Sequence, residues 1–83
     1  PFHSQSTEAW FTHVPGLKVV YPAFPGEAKG LLMASFNEPN PVLFFEHKAM
    51  YRTVREEVKE GPQFIELGKA DVVHSGTDLT VIT

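Results

Sequence analysis

An α/β fold built on a parallel sheet is what this chain of 83 residues predicts. Three observations carry that. Two short apolar runs, 17–21 and 42–46, flank a segment with helical periodicity. Both runs are nearly continuous in apolar residues, as expected where helices cover both faces of a sheet. The segment between them is long enough to return the chain to the start of the sheet, so the strands run parallel through a right-handed crossover. Two strands do not make a domain, and the rest of the sheet is expected elsewhere.

The elements follow in order. Residues 5–13 predict a first helix. Ser4, Ser6 and Thr7 are N-cap types, Glu8 suits the positive end of the helix dipole, and Pro15-Gly16 stops it. The run 17–21 is a strand centred on Val19 and Val20. Residues 25–37 predict the second helix, with Pro25 at its first position. Ala28, Leu31, Leu32, Ser35 and Phe36 fall on one core-facing stripe. Gly30 costs about 1 kcal/mol relative to alanine, and its place there predicts a close helix–strand approach. Pro39-Asn40-Pro41 ends the helix, and 42–46 is the second strand. Residues 51–64 are charged and aperiodic, and read as a linker or an extended surface segment. The runs 68–73 and 78–82 predict two further short strands, the opening of a second domain.

Composition narrows the function. A chain this short buries only about 60–65% of the surface its unfolded form exposes. It has no cysteine, so neither a disulfide nor a thiolate metal site supplements the core. The net charge of -3, with both signs interspersed, offers no basic stripe for nucleic acid. No apolar run approaches the roughly 20 residues that span a bilayer, so no membrane partner is expected. The chain starts at Pro1 and stops within the apolar run Val81-Ile82-Thr83, which predicts a piece of a longer polypeptide.

His3 is the sharpest candidate for chemistry. It precedes a helix start, with Ser4, Gln5 and Ser6 beside it to fix a tautomer, and imidazole exchanges protons near neutral pH. From the residues alone, a loop histidine without a role is the favoured reading. His13 reads as a helix-end residue, and His47 and His74 as surface residues. Trp10 and Phe11 read as core. No pair of histidines has metal-ligand spacing, and no glycine-rich phosphate loop is present. The loop Asn37-Glu38-Pro39-Asn40 either presents backbone carbonyls to a cation or simply stops a helix.

The runs HSQS-x-EAWF-x-HVPGLKVVYP, P-x-EAKGLL, NPVLFFE-x-K-x-x-YR and LGKADVV-x-x-G-x-DLTVIT resemble, in order and across the whole chain, the beta subunits of 2-oxo acid dehydrogenases. These are the thiamine diphosphate-dependent, decarboxylating components of the lipoyl complexes. The resemblance implies a fragment of a transketolase-like pyrimidine-binding domain over 1–46. It implies a connector over 47–69 and the start of a C-terminal α/β domain of transketolase type over 70–83. His3 then becomes a catalytic residue, transferring protons and hydrogen-bonding during decarboxylation and acyl transfer to lipoamide. Ser4 and Gln5 orient it. Relatives bind a structural potassium ion through backbone carbonyls after the second helix, which matches Ser35, Glu38 and Asn40 here.

The family's activating glutamate matches no position in this sequence. The diphosphate and its magnesium fall to an alpha subunit, or to an alpha-type region of a fused chain, so this stretch alone is expected to be inactive. The other implied partners are a second beta subunit and the lipoyl acyltransferase core. FFEHKAMYR resembles the branched-chain branch, whereas AWF is shared with bacterial pyruvate enzymes. The resemblance favours branched-chain 2-oxo acids, with a pyruvate or acetoin enzyme, another transketolase-type enzyme, or a mainly structural subunit-interface segment as the other readings. Phe24 departs from the family's serine or threonine helix cap. The expected compartment is the cytoplasm of a bacterium or the mitochondrial matrix of a eukaryote.

Overall fold

Two three-residue strands and the helix between them organise the chain. In the computed structural model, which describes residues 2 and 4–83, the order is α1 (Glu8–Thr12), β1 (Lys18–Val20), α2 (Pro25–Phe36), β2 (Val42–Phe44) and α3 (Met50–Thr53). The strands pair in parallel, Lys18 opposite Val42, Val19 opposite Leu43 and Val20 opposite Phe44. Main-chain bonds continue the ladder at both ends. Lys18 N–H donates to the Pro41 carbonyl at 3.0 Å, and Phe45 N–H to the Val20 carbonyl at 2.7 Å. The βαβ unit is therefore present as its spacing predicts.

The start of α2 compensates for a missing local cap. Phe24 is the N-cap residue in extended backbone, and its side chain makes no capping bond. Two carboxylates take over. Glu27 accepts the Ala23 N–H at 3.1 Å, and Glu56, from far along the chain, accepts the Gly26 N–H at 2.8 Å. Free N–H groups and the dipole at a helix start both favour a carboxylate there.

The segment 54–67 lies extended along α2. The Lys29 ammonium donates to the Lys59 carbonyl, and Gln63 N–H meets the Met33 sulfur at 3.4 Å. Ile65 N–H donates to the Gly30 carbonyl at 3.3 Å. A Cβ on Gly30 would stand 2.7 Å from Ile65 Cγ1. The close approach expected at Gly30 is thus made by this extended segment and not by a strand. Gln63, Ile65 and Leu67 are half-buried while Phe64 and Glu66 are exposed, the period-two pattern of extended backbone.

Five expectations need correction. Helix α1 begins at Glu8 rather than residue 5, with Thr7 as its N-cap residue and no side-chain capping bond. Trp10, expected in the core, is 71% exposed. On the predicted α2 stripe, Ala28, Leu31 and Ser35 are half-buried, but Leu32 and Phe36 are exposed. Apolar residues run all round this helix, and a two-stranded sheet covers one side of it. The charged stretch after residue 49 holds α3, too short for helical periodicity to show in a sequence. The runs 68–73 and 78–82 form no strand, and residues 68–83 are exposed throughout. A strand exists through its pairing, and these runs have no ladder partner among the described residues.

A candidate active-site edge and an ion-paired loop

The helix–turn–strand order of α1 and β1 returns the start of the helix to the far end of the strand. Gly16, at φ 83, makes the turn between them. The carboxylate of Glu8, first in α1, lies near enough to the Tyr21 hydroxyl, just beyond β1, to raise its pKa. Phe11 of α1 meets Phe45, just beyond β2, with ring centroids 5.9 Å apart. Glu8 thus stands at the carboxyl-end edge of the sheet, and Ser4 and Gln5, both exposed, precede it in the chain. That edge is where open α/β sheets place their ligands. His3 lies outside the described residues.

The same edge carries an apolar cavity of about 220 Å³ between the start of α2 and α3. Phe24, Pro25, Met50 and Val54 line it, together with Glu46 and Tyr51. The Tyr51 hydroxyl donates to Glu46 Oε2 at 2.6 Å, and this bond is the main reason the Tyr51 pKa is raised. Tyr21 packs against Phe45 at 5.9 Å and stacks on His47 at 6.3 Å. Partial burial, followed by the Glu8 carboxylate, raises the Tyr21 pKa. His47 keeps the exposed position expected of it but belongs to an aromatic row. Sequence reading missed this row, although one signal was available: Phe45 and His47 are two apart, so they share a face in extended backbone.

At the opposite edge lies the loop after α2. Asn37 caps the helix, its N–H donating to the Ala34 and Ser35 carbonyls. Glu38 N–H also donates to the Ser35 carbonyl, at 3.3 Å. Both oxygens of the Glu38 carboxylate are engaged. Oε1 accepts Asn40 Nδ2 at 2.7 Å and Asn40 N–H at 3.2 Å, and Oε2 accepts the Lys18 ammonium at 2.6 Å. The Lys18 bond, then those from Asn40, hold this carboxyl below its usual range. Ser35 Oγ turns back to the Leu31 carbonyl at 2.7 Å. The Glu38 carboxylate therefore ties Asn40 of the same loop to Lys18 of β1.

Among the described residues no group of three histidine, cysteine, aspartate or glutamate side chains is placed to hold a metal ion. No helix among the described residues is long and apolar enough to cross a membrane.

Residues 2–54 match the family model described as the pyrimidine binding domain of transketolase. The chain is 58% identical over 81 residues to the mitochondrial 2-oxoisovalerate dehydrogenase subunit beta of Dictyostelium discoideum, covering 98% of this chain and 22% of that protein. It is 52% identical over 82 residues to 2-oxoisovalerate dehydrogenase subunit beta of Bacillus subtilis, covering 99% and 25%. It is 49% identical over 81 residues to the Pyruvate dehydrogenase E1 component subunit beta of the same bacterium, covering 98% and 25%. The chain thus spans about a quarter of the length of these relatives.

Proposed function

Because this chain belongs to the transketolase pyrimidine-binding domain family, we propose that it is part of the beta subunit, or of the beta-type region of a fused chain, of a 2-oxo acid dehydrogenase. The reaction is oxidative decarboxylation of a branched-chain 2-oxo acid with transfer of the acyl group to lipoamide. The alignment along nearly the whole chain at 58% identity carries this reading. The pyruvate relative at 49% keeps a pyruvate enzyme as the second reading.

Thiamine diphosphate, when bound, supplies the electron sink for the carbanion that decarboxylation leaves. The residues of this chain do the rest of the local work. His3 holds or moves a proton at the reacting centre, and Ser4 and Gln5 orient its ring. What supports this is the position of Glu8, shortly after His3 in the chain, beside Tyr21 at the carboxyl end of β1. The diphosphate and its magnesium fall to the alpha subunit. The other partners are a second beta subunit and the lipoyl acyltransferase core. Residues 1–46, 47–69 and 70–83 are assigned to the pyrimidine-binding domain, a connector and the next domain. The place of action is the mitochondrial matrix of a eukaryote or the cytoplasm of a bacterium.

The loop after α2 is assigned a potassium ion held by the carbonyls of Ser35, Glu38 and Asn40. The donor set supports it. Carbonyl oxygens are hard ligands for a hard cation. The last turn of α2 carries no basic residue, so the negative end of its dipole lacks a side-chain cation of its own.

The test uses the full-length assembly. His3→Ala is expected to lower acyl transfer to lipoamide about 10²–10⁴-fold, with the branched-chain acids the best substrates of a 2-oxo acid panel. Normal transfer in the variant would leave this stretch a scaffold and subunit interface.

A further inference from the structure

The apolar cavity beside the start of α2 is walled by two stretches of chain, 22–28 and 46–54, and two hydrogen bonds brace it. The Tyr51 hydroxyl donates to Glu46 Oε2 at 2.6 Å, which ties α3 to the chain just beyond β2. Glu56 Oε2 accepts the Gly26 N–H at 2.8 Å, which ties the chain after α3 to the start of α2. The hollow is therefore held in shape by contacts within the described residues. Phe24, Pro25, Ala28, Met50 and Val54 give it apolar walls. Its volume is about 220 Å³, more than the roughly 150 Å³ that holds a benzene-sized molecule. The lining includes one carboxylate, Glu46, which is exposed and so stands at the mouth. Glu46 makes no ion pair among the described residues. Tyr51 takes its Oε2, and no donor among the described residues reaches Oε1.

We propose that this cavity binds a small primary amine carrying a branched or cyclic hydrocarbon group of about five or six carbon atoms. The hydrocarbon displaces water from walls that offer it few hydrogen bonds, and the gain follows the apolar area covered. The ammonium donates to Glu46 Oε1, and a charge-assisted bond of this kind is stronger than a neutral one. A neutral ligand would leave the carboxylate at the mouth without a counter-charge, and an anion would be repelled by it. No bond is made or broken in this binding, so the inference is independent of the reaction proposed above.

Calorimetric titration of the full-length protein with 3-methylbutylamine tests this. The controls are 3-methylbutanol, of similar shape without the charge, and methylamine, with the charge but little hydrocarbon. The amine is expected to bind about tenfold or more tighter than either control. Glu46→Gln is expected to weaken it to the level of the alcohol. Ala28→Leu fills the cavity and is expected to abolish binding of amine and alcohol alike. Val54→Phe fills it from the side of α3 and decides the matter if Ala28→Leu does not fold. Methylamine binding as tightly as the larger amine would leave only a surface carboxylate, and the alcohol binding as tightly would remove the role of Glu46. Either result overturns the proposal. So does unchanged binding in the filled variants, or no binding of the amine by the wild type.

Discussion

Glu38 and Tyr51 each sit in a hydrogen bond that moves a proton equilibrium, in opposite directions. The Glu38 carboxyl is held below its usual value of 4.5 by Lys18 and then by Asn40. The folded chain therefore binds that proton less tightly than the unfolded chain. The stability it contributes is present above the usual carboxylate value and is lost as pH falls through the lowered folded value. Melting temperatures of the full-length protein and of Glu38→Gln should differ near neutrality and converge in acid. A gap that stays constant down to pH 3 would contradict this origin. Tyr51 behaves in the reverse sense. Its pKa is raised above 10.0, chiefly because its hydroxyl donates to Glu46. That contribution is present below 10.0 and is lost as pH rises through the raised value. Ultraviolet titration of Tyr51 in Glu46→Gln should move its ionisation back toward 10.0.

Helix α2 shows how an element draws on distant sequence. With Phe24 at its N-cap, Glu56 accepts the Gly26 N–H that a local cap would take. Glu56→Ala is expected to cost about 0.5–1 kcal/mol of stability, seen in denaturant unfolding and in faster amide exchange over the first turn. Adding Phe24→Asp should restore both, because an aspartate at that position caps the helix locally. If Phe24→Asp helps the wild type as much as the variant, Glu56 is not the cap. The helix itself was legible from its proline start, its periodicity and its proline stop. The strands were legible as apolar runs of the right length, and their parallel pairing followed from the spacing. The capping by Glu56, the grip of Lys18 on Glu38 and the packing of Ile65 on Gly30 were not. Each joins positions widely separated in the chain, and no local pattern encodes such a pair. Leu32 and Phe36 misled for a related reason. Periodicity reports an apolar face, but which face is covered depends on what packs there.

At the scale of the whole molecule, the described residues hold little interior. Val20 is the buried core side chain among them, while Phe36, Trp10 and Phe64 lie open. The radius of gyration is 14.3 Å, against about 12 Å for a compact domain of this length. A two-stranded sheet with so little burial is marginal by itself. The 83 residues expressed alone are therefore expected to melt without a sharp transition and to bind a hydrophobic dye. The same stretch within the full-length subunit should melt cooperatively. A sharp two-state melt of the isolated stretch would show that the βαβ unit and the segment over α2 suffice as a folding unit.

The contact between Gly30 and Ile65 has a consequence for how such a chain varies over time. There is no room for a methyl group between them as they stand. The two positions therefore share one allotment of volume. An alanine at 30 should be accepted readily where position 65 has shrunk to valine or alanine, and poorly beside isoleucine. Drift at either site is then conditional on the other. A substitution that strengthens the helix in isolation becomes available only after a change in a segment that is not helical at all.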